Sequence, residues 1–258
     1  MLLVIDVGNT QTHLGVYKEE DLVCSWRLST RTGETADELL TALRALLAGT
    51  HLKDTSESIA IENVAIASVV PPLSTEWVVA AQKLCGCEPL LLSHKTAVGF
   101  ACSYEAPEEI GADRIADAIA AIELYGAPVI VVDFGTATNI EVIDREGSFI
   151  GGIIAPGLVT SANALFAAAA RLPRMDIDTP PEVIGISTKT AVQSGLTYGE
   201  IDRIDGLVRR VFAQLGYESP VVVTGGLSSR VLSLSTTITH VNDSLTLEGL
   251  RLAFERTI

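Results

Sequence analysis

Two short acidic segments of this 258-residue chain carry residue types that could handle phosphate. In Asp6-Val7-Gly8-Asn9-Thr10 a carboxylate is followed at once by glycine, an amide and a hydroxyl. Glycine lets a backbone approach a phosphate closely. The Asn amide, the Thr hydroxyl and turn N–H groups can donate to phosphate oxygens, while the carboxylate orients a hydrated divalent cation. An ordinary Asx turn would use the same residues. The outline returns about half a chain length later as Asp133-Phe134-Gly135-Thr136-Ala137, which favours a working pair of turns over a chance one. There Asp133 can bind a cation and Thr136 can donate to a phosphate oxygen. Gly111-Ala112-Asp113-Arg114 offers a different chemistry. It predicts a helix that opens with Asp113 at or near its N-cap, beside a guanidinium. A base next to an anion-binding arginine suits a substrate carrying both a hydroxyl and a carboxylate. Gly225-Gly226-Leu227-Ser228-Ser229 would let a flat adenosine lie on the backbone, although the same glycines mark a plain strand-to-helix turn.

Elements must hold these residues in place. Each Asp-x-Gly turn lies between apolar runs, Val4-Ile5 and Leu14-Gly15-Val16-Tyr17 in the first copy, Val131-Val132 and Ile140-Glu141-Val142-Ile143 in the second. Both read as hairpins. Each is followed by another short strand, Cys24–Leu28 or Ser148–Ile154, and then by helices. Thr35-Ala36-Asp37-Glu38 fits a capping box ahead of Leu39, Leu40, Leu43 and Leu47, with Gly49 as the stop. Val64–Val70 reads as a buried strand ended by Pro71-Pro72. Ile115, Ile119 and Ile122 stripe a helix from Asp113 to Gly126, and Ile201, Ile204, Val208, Val211 and Leu215 stripe another before Gly216. A last helix runs from about Ser244. Strands alternating with helices define an α/β fold of mixed sheets flanked by helices. The duplication predicts two similar domains, residues 1–111 and 112–258, with a central cleft.

The net charge of −14 disfavours nucleic acid or anionic membrane as partners. A phosphorylated ligand would then need a local positive field from metal ions, backbone N–H groups or a few arginines. The segment Met1–Asp6 has no basic export signal, and the apolar stretch 153–172 is interrupted by Pro156 and Gly157. Cys24, Cys85, Cys87 and Cys102 lack zinc spacing and read as plain thiols. These features predict a cytoplasmic protein.

The segments 6–10, 111–114, 133–137 and Gly151-Gly152-Ile153-Ile154-Ala155-Pro156-Gly157 resemble, in order, the motifs of type III pantothenate kinases. So do Leu172-Pro173, Ser187-Thr188, Gln193-Ser194-Gly195 and Thr224-Gly225-Gly226. The resemblance implies the acetate-kinase, sugar-kinase and actin superfamily, with two ribonuclease-H-like domains. The implied activity is ATP-dependent phosphorylation of pantothenate to 4'-phosphopantothenate, the first step of coenzyme A biosynthesis. Asp6, Val7, Gly8, Asn9, Thr10, Gln11, Thr12 and His13 would form the phosphate loop, with Asp6 near magnesium. Asp113 would accept the hydroxyl proton, and with an ordinary carboxylate pKa of about 4 it would be ionised at neutral pH. Gly111, Ala112, Asp113 and Arg114, together with Tyr104, would line the pantothenate site. Asp133 would hold potassium or ammonium and Thr136 would bind ATP. Thr188 would reach pantothenate across a homodimer interface. Two other readings stand beside this one: a non-catalytic accessory protein of the same fold, and a kinase for another small acidic metabolite.

Overall fold

The structure, a computed structural model, describes residues 1–50, 59–169, 171–226 and 233–258. Two compact units form, one from Met1–Leu124 with Leu245–Ile258, the other from Tyr125–Ser244.

In the first unit, β1 (Leu2–Val7), β2 (Gln11–Lys18), β3 (Asp21–Ser29), β4 (Asn63–Ser68) and β5 (Leu90–Leu91) form a sheet in the order β3-β2-β1-β4-β5. The β1–β2 and β2–β3 pairs are antiparallel, and β4 and β5 are added in parallel. The central strands are buried on both faces, so β1 and β4 are nearly continuous apolar runs rather than alternating ones. Helices α1 (Ala36–Ala48) and α2 (Pro71–Cys85) enclose a core around Leu3, Ile5, Leu14, Leu43, Ile66 and Trp77. The expected capping box is present: Thr35 accepts from the Glu38 N–H, and Glu38 accepts from the Thr35 N–H. The short strand β6 (Ala101–Cys102) and a 3₁₀ turn at Pro107–Glu109 lead into helix α3 (Ala112–Tyr125).

The second unit repeats this plan. Its strands β7 (Val129–Phe134), β8 (Ala137–Ile143), β9 (Ser148–Pro156), β10 (Val221–Gly225) and β11 (His240–Val241) run in the order β11-β10-β7-β8-β9. Their relative senses match the first unit strand for strand. Helices α4 (Leu158–Ala168) and α5 (Thr188–Leu215) belong to this unit, and Ile201, Ile204 and Val208 of α5 join Ile130, Val132 and Val223 in its core. The duplicated hairpin thus reports a duplicated sheet.

Two features differ from the expectation. The units divide at 124/125 rather than 111/112, and the C-terminal helix α6 (Leu245–Glu255) returns to the first unit. The reason is packing: α6 lies on β1, β2 and β4, burying Leu245, Leu247 and Leu250. It crosses α3 so closely that a Cβ at Gly249 would collide with the Ala116 carbonyl, and Thr246 Oγ1 donates to Asp117 at 2.7 Å. Second, α5 begins at Thr188, well before its apolar stripe. Its first half buries a polar face, because Gln193, Ser194, Thr197 and Tyr198 donate to the carbonyls of Asp176, Val183, Asp178 and Pro180. A helix that covers loop carbonyls shows no hydrophobic period.

Candidate active site

The first turn joins β1 to β2. Asp6 is in register with His13 on one side and Ala67 of β4 on the other. Gly8 N–H closes the turn on the Gln11 carbonyl at 3.0 Å. Thr30, just past β3, fastens it from below: its hydroxyl donates to the Gly8 carbonyl at 2.7 Å and its N–H to the Thr10 carbonyl at 3.0 Å. Asn9, Thr10 and Gln11 are exposed at the tip. Val7 and Thr12 are different, because both side chains are buried and the Thr12 hydroxyl lies 3.0 Å from that of Thr30. They shape the loop and offer a ligand only backbone. His13 is half-buried, and burial first, then the Arg27 guanidinium, lower its pKa from 6.5 to about 4. The ring is neutral at pH 7 and adds no charge to the loop.

The start of α3 comes to this same edge of the sheet. Val69, directly after β4, donates its N–H to the Val7 carbonyl at 3.1 Å. A Cβ at Gly111 would lie 3.3 Å from Val69 Cγ1 and would collide with the Asp113 carboxylate. Glycine at 111 therefore lets Asp113 fold back over the helix start beside the ends of β1 and β4. Asp113 is not the cap: it is the second residue of α3, and its Oδ1 accepts the Arg114 N–H at 2.8 Å. Burial raises its carboxyl above the ordinary carboxylate value, and the Arg114 N–H and guanidinium only partly offset this. The unperturbed value expected for Asp113 is thus corrected. A desolvated carboxylate is a stronger proton acceptor than a hydrated one. Arg114 itself is buried, and Tyr104 is half-buried on the segment that leads to this helix.

In the second unit, Asp133 is in register with Asn139 on β8 and Thr224 on β10. Gly135 N–H closes the turn on the Ala137 carbonyl at 2.9 Å, so this turn is one residue shorter than the first. Thr136 is exposed, and its carbonyl accepts from Gly157 N–H at 3.1 Å and Thr160 Oγ1 at 2.6 Å. Gly225 ends β10 with φ +90, and a Cβ there would sit 2.5 Å from the Phe134 carbonyl and 2.7 Å from Asp133 Oδ1. Only glycine leaves this space beside the carboxylate open. Leu227, Ser228 and Ser229 of the glycine motif, like His51, lie outside the described residues. Thr188 is exposed as the first residue of α5, after the Ser187 cap.

Thr30, Thr138 and Glu200 also support the turns, and sequence reading passed over all three. Thr30 lies far from Gly8 in sequence, and a buried acid within a helix stripe carries no local signal. A cavity of about 750 Å³, lined by Leu2, Tyr17, Asn63 and Phe254, sits at the opposite end of the first sheet and touches none of the expected residues. Among the described residues there is no group of three or more His, Cys, Asp or Glu able to hold a metal, and no helix long and apolar enough to cross a membrane.

Both turns stand at the carboxyl ends of parallel strands, where open α/β sheets bind ligands. The repeated topology is an α/β fold shared with solved structures. Component A of the (R)-2-hydroxyglutaryl-CoA dehydratase of Acidaminococcus fermentans, for instance, is similar with a TM-score of 0.57 at 14% identity, over 100% of this chain and 99% of its own. Sequence narrows the class. The family profile for type III pantothenate kinase matches residues 2–210. A type III pantothenate kinase of Halalkalibacterium halodurans is 42% identical over 100% of both chains, and one of Acidobacterium capsulatum is 44% identical over 99% of this chain and 94% of its own. The chain belongs to the type III pantothenate kinase family.

Proposed function

We infer that this chain transfers a phosphoryl group from ATP to the hydroxyl of pantothenate in coenzyme A biosynthesis, with Asp113 as the proton acceptor. The observation that carries the assignment is the placement of Asp113, its carboxyl raised by burial, at the sheet edge that bears the Asp6–His13 turn. Phosphoryl transfer passes through a loose transition state, so positioning and charge neutralisation matter more than covalent chemistry. The exposed tip residues Asn9, Thr10 and Gln11 and the turn backbone hold phosphate oxygens. Asp113 takes the hydroxyl proton as the bond to phosphorus forms, and Arg114 together with Gly111, Ala112 and Tyr104 holds the acidic substrate.

Asp6 would hold magnesium. A carboxylate at a strand end fits that ion, which keeps several waters and binds mainly through one or two carboxylates and substrate phosphates. The ion supplies neutralisation of the phosphate charge. Asp133 would hold potassium or ammonium, and glycine at 225 keeps a side chain from crowding its carboxylate. Thr136 binds ATP. The protein works in the cytoplasm as a homodimer in which Thr188 of one copy reaches the pantothenate of the other.

The test is direct. Purified protein is given ATP, magnesium and pantothenate with sodium, potassium or ammonium as the monovalent ion, and 4'-phosphopantothenate is followed by mass spectrometry. Product should form, more with potassium or ammonium than with sodium, and Asp133→Asn should remove that preference. No product under any condition defeats the kinase reading, whereas product without a cation preference defeats only the role of Asp133.

A further inference from the structure

Beneath the second turn lies a polar cluster in an otherwise apolar layer. Glu200, on the inward face of α5, is 6% exposed, and Thr138, the second residue of β8, is 2% exposed. Thr138 Oγ1 donates to Glu200 Oε1 at 2.7 Å. The other carboxylate oxygen accepts from Arg203 Nη2, and the same nitrogen donates to the Pro156 carbonyl at 2.8 Å. One carboxylate thus ties together the two backbone segments that flank the turn. Thr138 is where the chain leaves it. Pro156 ends β9 immediately before Gly157, whose N–H holds the Thr136 carbonyl.

Burying a carboxylate is costly unless it is paired and hydrogen-bonded, and both Glu200 oxygens have donors, although the buried Arg203 Nε finds no partner among the described residues. Apolar residues at both positions 138 and 200 could fill the same space without a buried polar pair. What the Glu200 carboxylate adds is direction: it fixes β8 and the β9–α4 junction relative to α5. We propose that Glu200 is a positioning residue for the ATP-binding turn, acting through Thr138 and through Arg203 on Pro156 and never touching the nucleotide. The proposal rests on the reading of Asp133–Ala137 as an ATP-binding turn.

The test compares Glu200→Ala, Glu200→Gln, Thr138→Val and Thr136→Ala with the wild type. ATP affinity is measured by calorimetry without pantothenate, and KM for ATP and kcat by product formation. Misaligning one or two hydrogen bonds to the nucleotide weakens its binding by about 10- to 100-fold, so Glu200→Ala and Thr138→Val should raise KM and Kd for ATP by about that factor, with a smaller change in kcat at saturating ATP. Glu200→Gln keeps an acceptor for Thr138 and should recover most of the ATP affinity. If Glu200→Ala fails to fold, the near-isosteric Thr138→Val carries the comparison. Lower melting temperatures with unchanged KM for ATP would overturn the proposal, because that is what a purely structural role gives. ATP affinity unchanged in Thr136→Ala would instead overturn the underlying reading of the turn, and the proposal with it. Weakening in Thr136→Ala alone would leave the turn standing and remove Glu200 from it.

Discussion

His13 provides a pH-dependent stability that can be separated from catalysis. It stands in register with Asp6 on β1 and Arg27 on β3, and its ring keeps a pKa of about 4 against 6.5 in the free side chain. The unfolded chain therefore binds a proton that the folded chain refuses, over the interval between these values. Stability from this residue is complete above pH 6.5 and is lost progressively as the pH falls toward 4. A difference of that size would amount to roughly 3 kcal/mol in a dry interior, and solvent screening of the half-buried ring reduces it to about 1–2 kcal/mol. The comparison variant is His13→Asn, because Asn139 occupies the matching register position in the second unit. Urea midpoints for both proteins are taken from pH 8 to pH 4.5. The wild type should lose about 1–2 kcal/mol more than the variant across this range. Parallel curves, or a larger loss in the variant, would refute the assignment of a neutral buried imidazole to the loop.

Three other substitutions have definite expected outcomes. Gly225→Ala combines an unfavourable positive φ with a Cβ placed 2.5 Å from a carbonyl, so it should lower stability by about 1–3 kcal/mol and weaken ATP binding; unchanged calorimetric affinity would argue against the glycine turn. Burial would raise the Asp205 carboxyl, but hydrogen bonds from Ser235, Thr236 and Thr237 outweigh it and hold the pKa at about 2. Its contribution is complete above the ordinary aspartate pKa and is lost as the pH falls toward 2, so Asp205→Ala should cost about 2 kcal/mol at pH 7 and progressively less in acid. Asp113 has the opposite sign: its folded pKa is raised, so its ionised form destabilises the native state above that pKa. Asp113→Asn should therefore melt no lower than the wild type at pH 8, as scanning calorimetry can check.

What was legible in the chain was local. The two Asp-x-Gly hairpins, the Thr35–Glu38 capping box and the Ile115–Ile122 stripe are each written within a few residues, and each forms where expected. Features that depend on distant partners were not. The first half of α5 is held by loop carbonyls from Asp176 to Val183, and no periodicity announces that. The return of α6 to the first sheet depends on the absence of a side chain at Gly249 against Ala116, a contact between segments far apart in the chain. Within the site, Thr12 has the same residue type as Thr10 but lies on β2 with its side chain buried, while Thr10 is in the exposed turn, so Thr12 braces the loop instead of facing a ligand. Asp113 reads as a common N-cap. Its position one residue inside the first turn, buried behind Gly111, is what raises its carboxyl.

Asp113 is the group that would take the hydroxyl proton, and catalysis turns on it more than on any other side chain. The measurement is the turnover rate of wild type and Asp113→Asn at saturating ATP and pantothenate, with ATP affinity determined alongside. General-base removal typically costs about 10²- to 10⁴-fold, and a fall of that size with ATP affinity preserved is the predicted result. A variant that phosphorylates pantothenate at nearly the wild-type rate would contradict it.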